Sequence, residues 1–173
     1  MPSIETRATP ALEKLLQSDS DQLYAELGLR LKAFEADPTN AGSFDSSATF
    51  DAPFAGPFDA LREFGQVFFE RFSLDAYGLV CGSDTKNASE RKKLLDALNL
   101  GETAFAATLV GALIGTFGMA PVLASVVAAL IVRLFFRNAQ GAMCAVWKKS
   151  LPQESDMDRR SSGRSRKRKT GGA

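Results

Sequence analysis

Histidine is missing from all 173 residues of this chain. That removes the commonest general base and the commonest metal ligand. Ser-His-Asp and Cys-His nucleophile mechanisms are excluded with it. Asp, Glu, Lys or Tyr chemistry would still be open, yet no motif singles out such a residue. The sequence therefore points to a non-enzymatic protein with no catalytic, cofactor or metal site.

Cysteine is nearly as scarce, with Cys81 and Cys144 the only two. Two distant cysteines form no disulfide framework and no zinc-ligand spacing. We read both as free thiols acting as small core residues, which suits a reducing compartment. The opening "MPSIETRATP" lacks the basic-then-apolar pattern of a secretory signal. The expected location is cytoplasmic, peripheral to or inserted in the inner face of a membrane if an apolar segment takes it there.

Charge is absent over one long stretch. From Thr103 to Val132 no side chain is ionised in "TAFAATLVGALIGTFGMAPVLASVVAALIV". Elsewhere charge is unevenly spread. Residues 1–60 hold ten acids and four bases, and residues 158–173 hold seven bases and one acid, although the whole chain nets only +1. A basic tail on a mildly acidic body is the plain reading.

What is present suits one ordinary domain: 45% of residues are hydrophobic and 24% charged. A domain near this size buries roughly 70% of its unfolded surface, enough for a core without metals or cross-links. We assign 1–152 to a single helical domain and 153–173 to a disordered basic tail.

Helical spacing recurs along the domain. Thr9-Pro10 offers an N-cap and a first-turn proline ahead of Leu12, Leu15 and Leu16. Asp19-Ser20 restarts the pattern, with Leu23, Leu27, Leu31 and Phe34 on one face and Glu26, Arg30 and Lys32 largely elsewhere. Asp37-Pro38 ends it. A stripe of Phe58, Leu61, Phe64 or Gly65, Phe68 and Phe72 follows Pro57, and Gly82 closes that helix. Asn87 and Glu90 have capping-box spacing ahead of Leu94, Leu95 and Leu98.

The uncharged stretch breaks at Gly118–Pro121, which predicts a helical hairpin with limbs near 102–118 and 121–149. Ala104, Ala107, Gly111, Gly115 and Gly118 form a small-residue stripe on the first limb. Ser125, Ala128 and Ala129 match it on the second, so the limbs are expected to pack closely there. A spanning helix needs about 20 apolar residues, and each limb falls short. The expected fold is an all-α helical bundle, its central hydrophobic hairpin sheathed by amphipathic helices. Colicin-type pore-forming domains and Bcl-2-like proteins share that plan, as an analogy of architecture alone.

Two surfaces are candidates for partners. The loop at 38–57 carries Phe44, Phe50 and Phe54, which either plug into the core or form a docking strip for a protein. The bases Arg133, Arg137, Arg159, Arg160, Arg164, Arg166, Lys167, Arg168 and Lys169 suit an anionic partner. That partner is anionic lipid at a membrane or nucleic-acid phosphate bound without sequence specificity.

Two functions fit these features. In one, the hairpin mediates packing, homo-oligomerisation or conditional membrane insertion. In the other, the protein is a soluble adaptor that binds a protein through 38–58 and nucleic acid or acidic surfaces through its tail.

Overall fold

The computed structural model describes residues 1–137 and 142–152. Among them are seven α-helices and no strands: α1 (Ile4–Leu15), α2 (Ser20–Ala36), α3 (Phe58–Cys81), α4 (Ala88–Leu98), α5 (Glu102–Phe117), α6 (Pro121–Ile131) and α7 (Met143–Ser150). A 3₁₀ turn occupies Pro38–Gly42, and a π turn at Val132–Phe136 prolongs α6. The all-α bundle expected from periodicity is the architecture found.

Helix α6 is the centre. Every residue from Val122 to Ile131 is buried, as suits a segment apolar all round. Helices α1, α2 and α5 all pack against it. Gly118 turns the chain from α5 into α6 with φ 64°, a left-handed conformation that favours glycine. Pro121 then sits in the first turn of α6, where its missing N–H costs nothing. Among the described residues, no helix is long and apolar enough to cross a membrane.

Several boundaries follow local chemistry. Asp19 closes a capping box on α2, accepting from the Gln22 N–H at 2.8 Å while Gln22 Oε1 accepts from the Asp19 N–H. Helix α2 stops before Asp37-Pro38 as expected. Helix α1 departs from expectation. It begins at Ser3, whose hydroxyl caps the Thr6 N–H, and Pro10 lies inside it. The buried face of Ala8, Ala11, Leu12 and Leu15 continues through the proline and offsets the lost backbone bond. At α4, Asn87 makes no side-chain capping bond. Arg91 instead caps the end of α3, donating to the Gly78 carbonyl at 3.1 Å.

The second limb of the hairpin is not one helix to residue 149. It ends in the π turn, and α7 is a separate helix. Trp147 anchors α7, fully buried and stacked on Phe135. Its indole N–H donates to Ser73 Oγ of α3 at 2.9 Å. Beside it, Cys81 and Cys144 form a disulfide joining α3 to α7. The expectation of two free thiols is therefore corrected: the α7 docking that buries Trp147 also brings the two Cα atoms to 5.7 Å, within bonding range.

The glycines at a close helix approach are not those of the small-residue stripe; they lie between α2 and α3. A Cβ at Gly28 would stand 2.0 Å from the Leu61 carbonyl oxygen, and one at Gly65 1.9 Å from that of Tyr24. By contrast, a Cβ at Gly111 would meet only the Glu5 side chain of α1, and one at Gly115 would meet nothing within 4 Å. Ala104 and Ala107 border a groove between α1 and α5. The buried residues of α5 are the bulky Phe105, Leu109, Val110 and Leu113 together with Ala106, Ala107 and Ala112. Ser125, Ala128 and Ala129 are fully buried around α6.

Candidate binding cavity beneath the aromatic loop

The least expected residue in the core is Arg30. Spacing puts it on the polar side of α2, yet it is only 2% exposed. A buried guanidinium is tolerated only when paired and hydrogen-bonded, and Arg30 is both. Its Nε donates to Glu26 Oε1 at 2.8 Å, one helical turn away. Nη1 donates to the Phe44 carbonyl at 3.0 Å, the Val122 carbonyl at 2.9 Å and Ser125 Oγ at 3.1 Å. Nη2 reaches Asp45 Oδ1 at 3.5 Å. Ser125 Oγ in turn donates to the Phe44 carbonyl at 2.8 Å. Three separate stretches of chain thus meet on one side chain: α2, the 38–57 loop and the first turn of α6.

That node fixes the loop. Phe44 is buried, with the Arg7 guanidinium 5.3 Å from its ring centre. Lys14 pairs with Asp45 at 3.0 Å, and this hydrogen bond holds the Asp45 carboxyl below the usual carboxylate range. Farther along, Ala55 is buried against Leu29 and Leu61, and its carbonyl accepts from Lys32 Nζ at 3.3 Å. The loop is tied down at both ends.

Between those ties, Phe50 and Phe54 stay 43% and 40% exposed, and Phe58 45%. Phe50 leans on Phe58, ring centres 5.7 Å apart. A cavity of about 330 Å³ opens beside Phe54. Arg30, Phe34 and Val122 line it from the helices, and Ser46, Thr49 and Phe54 from the loop. The size lies in the range of small-molecule and side-chain pockets. With the donors of Arg30 engaged by protein acceptors, the cavity presents apolar walls with hydroxyls, the Asn40 amide and the Asp37 carboxylate. Such a lining takes an apolar group and orients it by a few hydrogen bonds. Among the described residues, no three His, Cys, Asp or Glu side chains converge as metal ligands would.

The three candidate phenylalanines therefore separate. Phe50 and Phe54 are presented outward. Phe44 is a core residue and is withdrawn from the docking strip. The cationic candidates separate as well. Arg137 is engaged within the chain: Nε and Nη2 grip Glu102 at 2.8 and 2.9 Å, and Nη2 also donates to the Leu16 carbonyl at 2.6 Å. It is a strut between the end of α1 and the start of α5, so its assignment to an external anion is corrected. The bond holds the Glu102 carboxyl below its ordinary range, and the nearby charge of Arg133 adds to this. Arg133 is half-buried. Arg159, Arg160, Arg164, Arg166, Lys167, Arg168 and Lys169 lie outside the described residues.

The spacing gave no sign of the burial of Arg30, the close contacts at Gly28 and Gly65 or the pairing of Cys81 with Cys144. Lone glycines inside otherwise good helices were the available signal for Gly28 and Gly65. No family model matches the chain, and neither a curated protein nor a solved structure matches it.

Proposed function

We propose that this protein is a non-enzymatic helical binding module, which receives an apolar segment of a protein partner on Phe50, Phe54 and Phe58 and in the adjoining cavity. The observation that carries this reading is the exposure of those three rings on a stretch whose flanks are locked. Pre-ordering a binding loop lowers the entropy cost of association, and aromatic side chains are preferred anchors. The Cys81–Cys144 bond further supports a working environment that keeps disulfides oxidised. The basic segment at 158–173, with seven bases against one acid, supports an auxiliary contact to an anionic surface.

Insertion of the α5–α6 hairpin is the weaker reading. It would have to strip Arg30 from Val122 and Ser125 and leave that cation without its acceptors.

A photo-crosslinking residue placed at Phe54 tests the proposal in the native host. We expect one discrete protein adduct that disappears when Phe50 is changed to Ala. Only diffuse, Phe50-independent labelling would overturn it.

A further inference from the structure

We infer that the outer face of α3 is a self-association surface, pairing antiparallel with α3 of a second copy. This surface is independent of the loop cavity. Helix α3 runs 24 residues, roughly 36 Å at 1.5 Å per residue. Its inner face, including Leu61, Gly65, Phe69, Ser73 and Ala76, is buried. The opposite side carries Ala60, Phe64, Val67, Arg71, Leu74 and Gly78 at spacings of 4, 3, 4, 3 and 4. That alternation is the seam of a two-helix coiled coil. It is a second apolar stripe on a helix that already buries one.

The seam is open. Phe64, Val67 and Leu74 are 36%, 43% and 49% exposed. A Cβ at Gly78 would meet nothing within 4 Å. Arg71, the one charge on the seam, has no salt bridge with any described residue.

Arg71 also selects the orientation. In a parallel pair each seam residue faces its own copy, so Arg71 would face Arg71 and the like charges would repel. In an antiparallel pair with Arg71 opposite Val67, the whole seam closes: Phe64 falls opposite Leu74, and Ala60 opposite Gly78. The small residues meet each other, Phe64 meets Leu74, and Val67 meets the alkyl stem of Arg71. Glu63 and Glu70 stand four residues before and three after Val67, on adjacent turns of the helix. Each Arg71 therefore lands on its partner's acidic flank, twice over by two-fold symmetry. Such an isologous contact is the commonest way that chains pair.

Sedimentation equilibrium of the full chain tests the pairing. We expect a reversible dimer, whose dissociation constant rises at least about tenfold, or 1.4 kcal/mol, in Val67→Glu. Helical circular dichroism of that variant, and its urea midpoint at concentrations where the wild type is monomeric, should be retained, since Val67 is exposed. Arg71→Glu should also weaken the dimer, and adding Glu70→Arg to it should restore binding. A photo-crosslinker at Phe64 should label the partner's segment around Leu74. A monomer at all concentrations, or a dimer indifferent to both Val67→Glu and Arg71→Glu, overturns the inference. Labelling around the partner's Phe64 overturns the antiparallel arrangement.

Discussion

Arg30 of α2 and Val122 of α6 lie 92 residues apart in the chain, joined by a 2.9 Å hydrogen bond from the guanidinium to a main-chain carbonyl. The same nitrogen serves Phe44 and Ser125. Removing the side chain takes a charged donor from three buried acceptors and leaves the half-buried Glu26 without its cation. Arg30→Ala should cost about 3–5 kcal/mol, the range for breaking a buried ion pair from one side. Urea unfolding measures it. Arg30→Lys should recover only part of the loss, because an ammonium has three donors and no planar fork.

The glycines give a paired prediction. Gly28→Ala and Gly65→Ala drive a methyl group into rigid backbone carbonyls and should each destabilise by about 1–3 kcal/mol or more. Gly115→Ala meets open space within a helix and should be neutral or stabilising by up to about 1 kcal/mol. Thermal unfolding of the three variants compares the tight α2–α3 crossing with the stripe on α5.

Loss of the cross-link between α3 and α7 should be visible in both mass and stability. The intact protein should gain about 2 Da on reduction and none under non-reducing conditions, since both cysteines are paired. The bridge spans a sequence separation of 63 residues, for which loop-closure entropy gives about 4 kcal/mol and experience 2–4. The double Cys→Ser variant should lose a stability in that range. Its Trp147 fluorescence should shift to the red if α7 undocks.

The Glu102–Arg137 strut predicts an acid limb. The Glu102 carboxyl is held below its unfolded value of 4.5. Its contribution is therefore complete above about 4.5 and fades as pH falls through the lower folded value. With Glu102 about a third exposed, solvent screening limits the effect to roughly 0.5–1 kcal/mol. Urea midpoints from pH 6 to pH 3 should fall less steeply in Arg137→Gln than in the wild type.

Most of the helical frame was readable because its signals are local. Asp19 and Asp37-Pro38 bracket α2 within a few residues of chain, and the burial of α6 follows from its unbroken apolar composition. The candidate site was half readable. Repeated phenylalanines flagged the loop, but nothing in the spacing said that Phe44 would turn inward while Phe50 and Phe54 stayed out. That division is set by acceptors on Phe44 and Val122, which are carbonyls and carry no sequence mark. The same reason hides Arg30, since a base among helical polar positions looks like a solvated one until distant backbone surrounds it. Small residues misled in the other direction. Five of them from Ala104 to Gly118 looked like a packing seam, whereas the glycines that meet backbone at close range are two isolated ones on α2 and α3. Likewise, pairing of two cysteines so far apart is decided by where Trp147 docks α7.

The Arg30 node also sets an order of assembly. Its acceptors come from residue 44 and from residues 122 and 125, so the node is incomplete until the chain has closed a span of more than ninety residues. Long closures are made late relative to neighbouring helix contacts. During synthesis the exposed rings of residues 50–58 therefore emerge well before the helix that holds their base in place. The loop gains its final shape only after α6 arrives with the acceptors that complete the node.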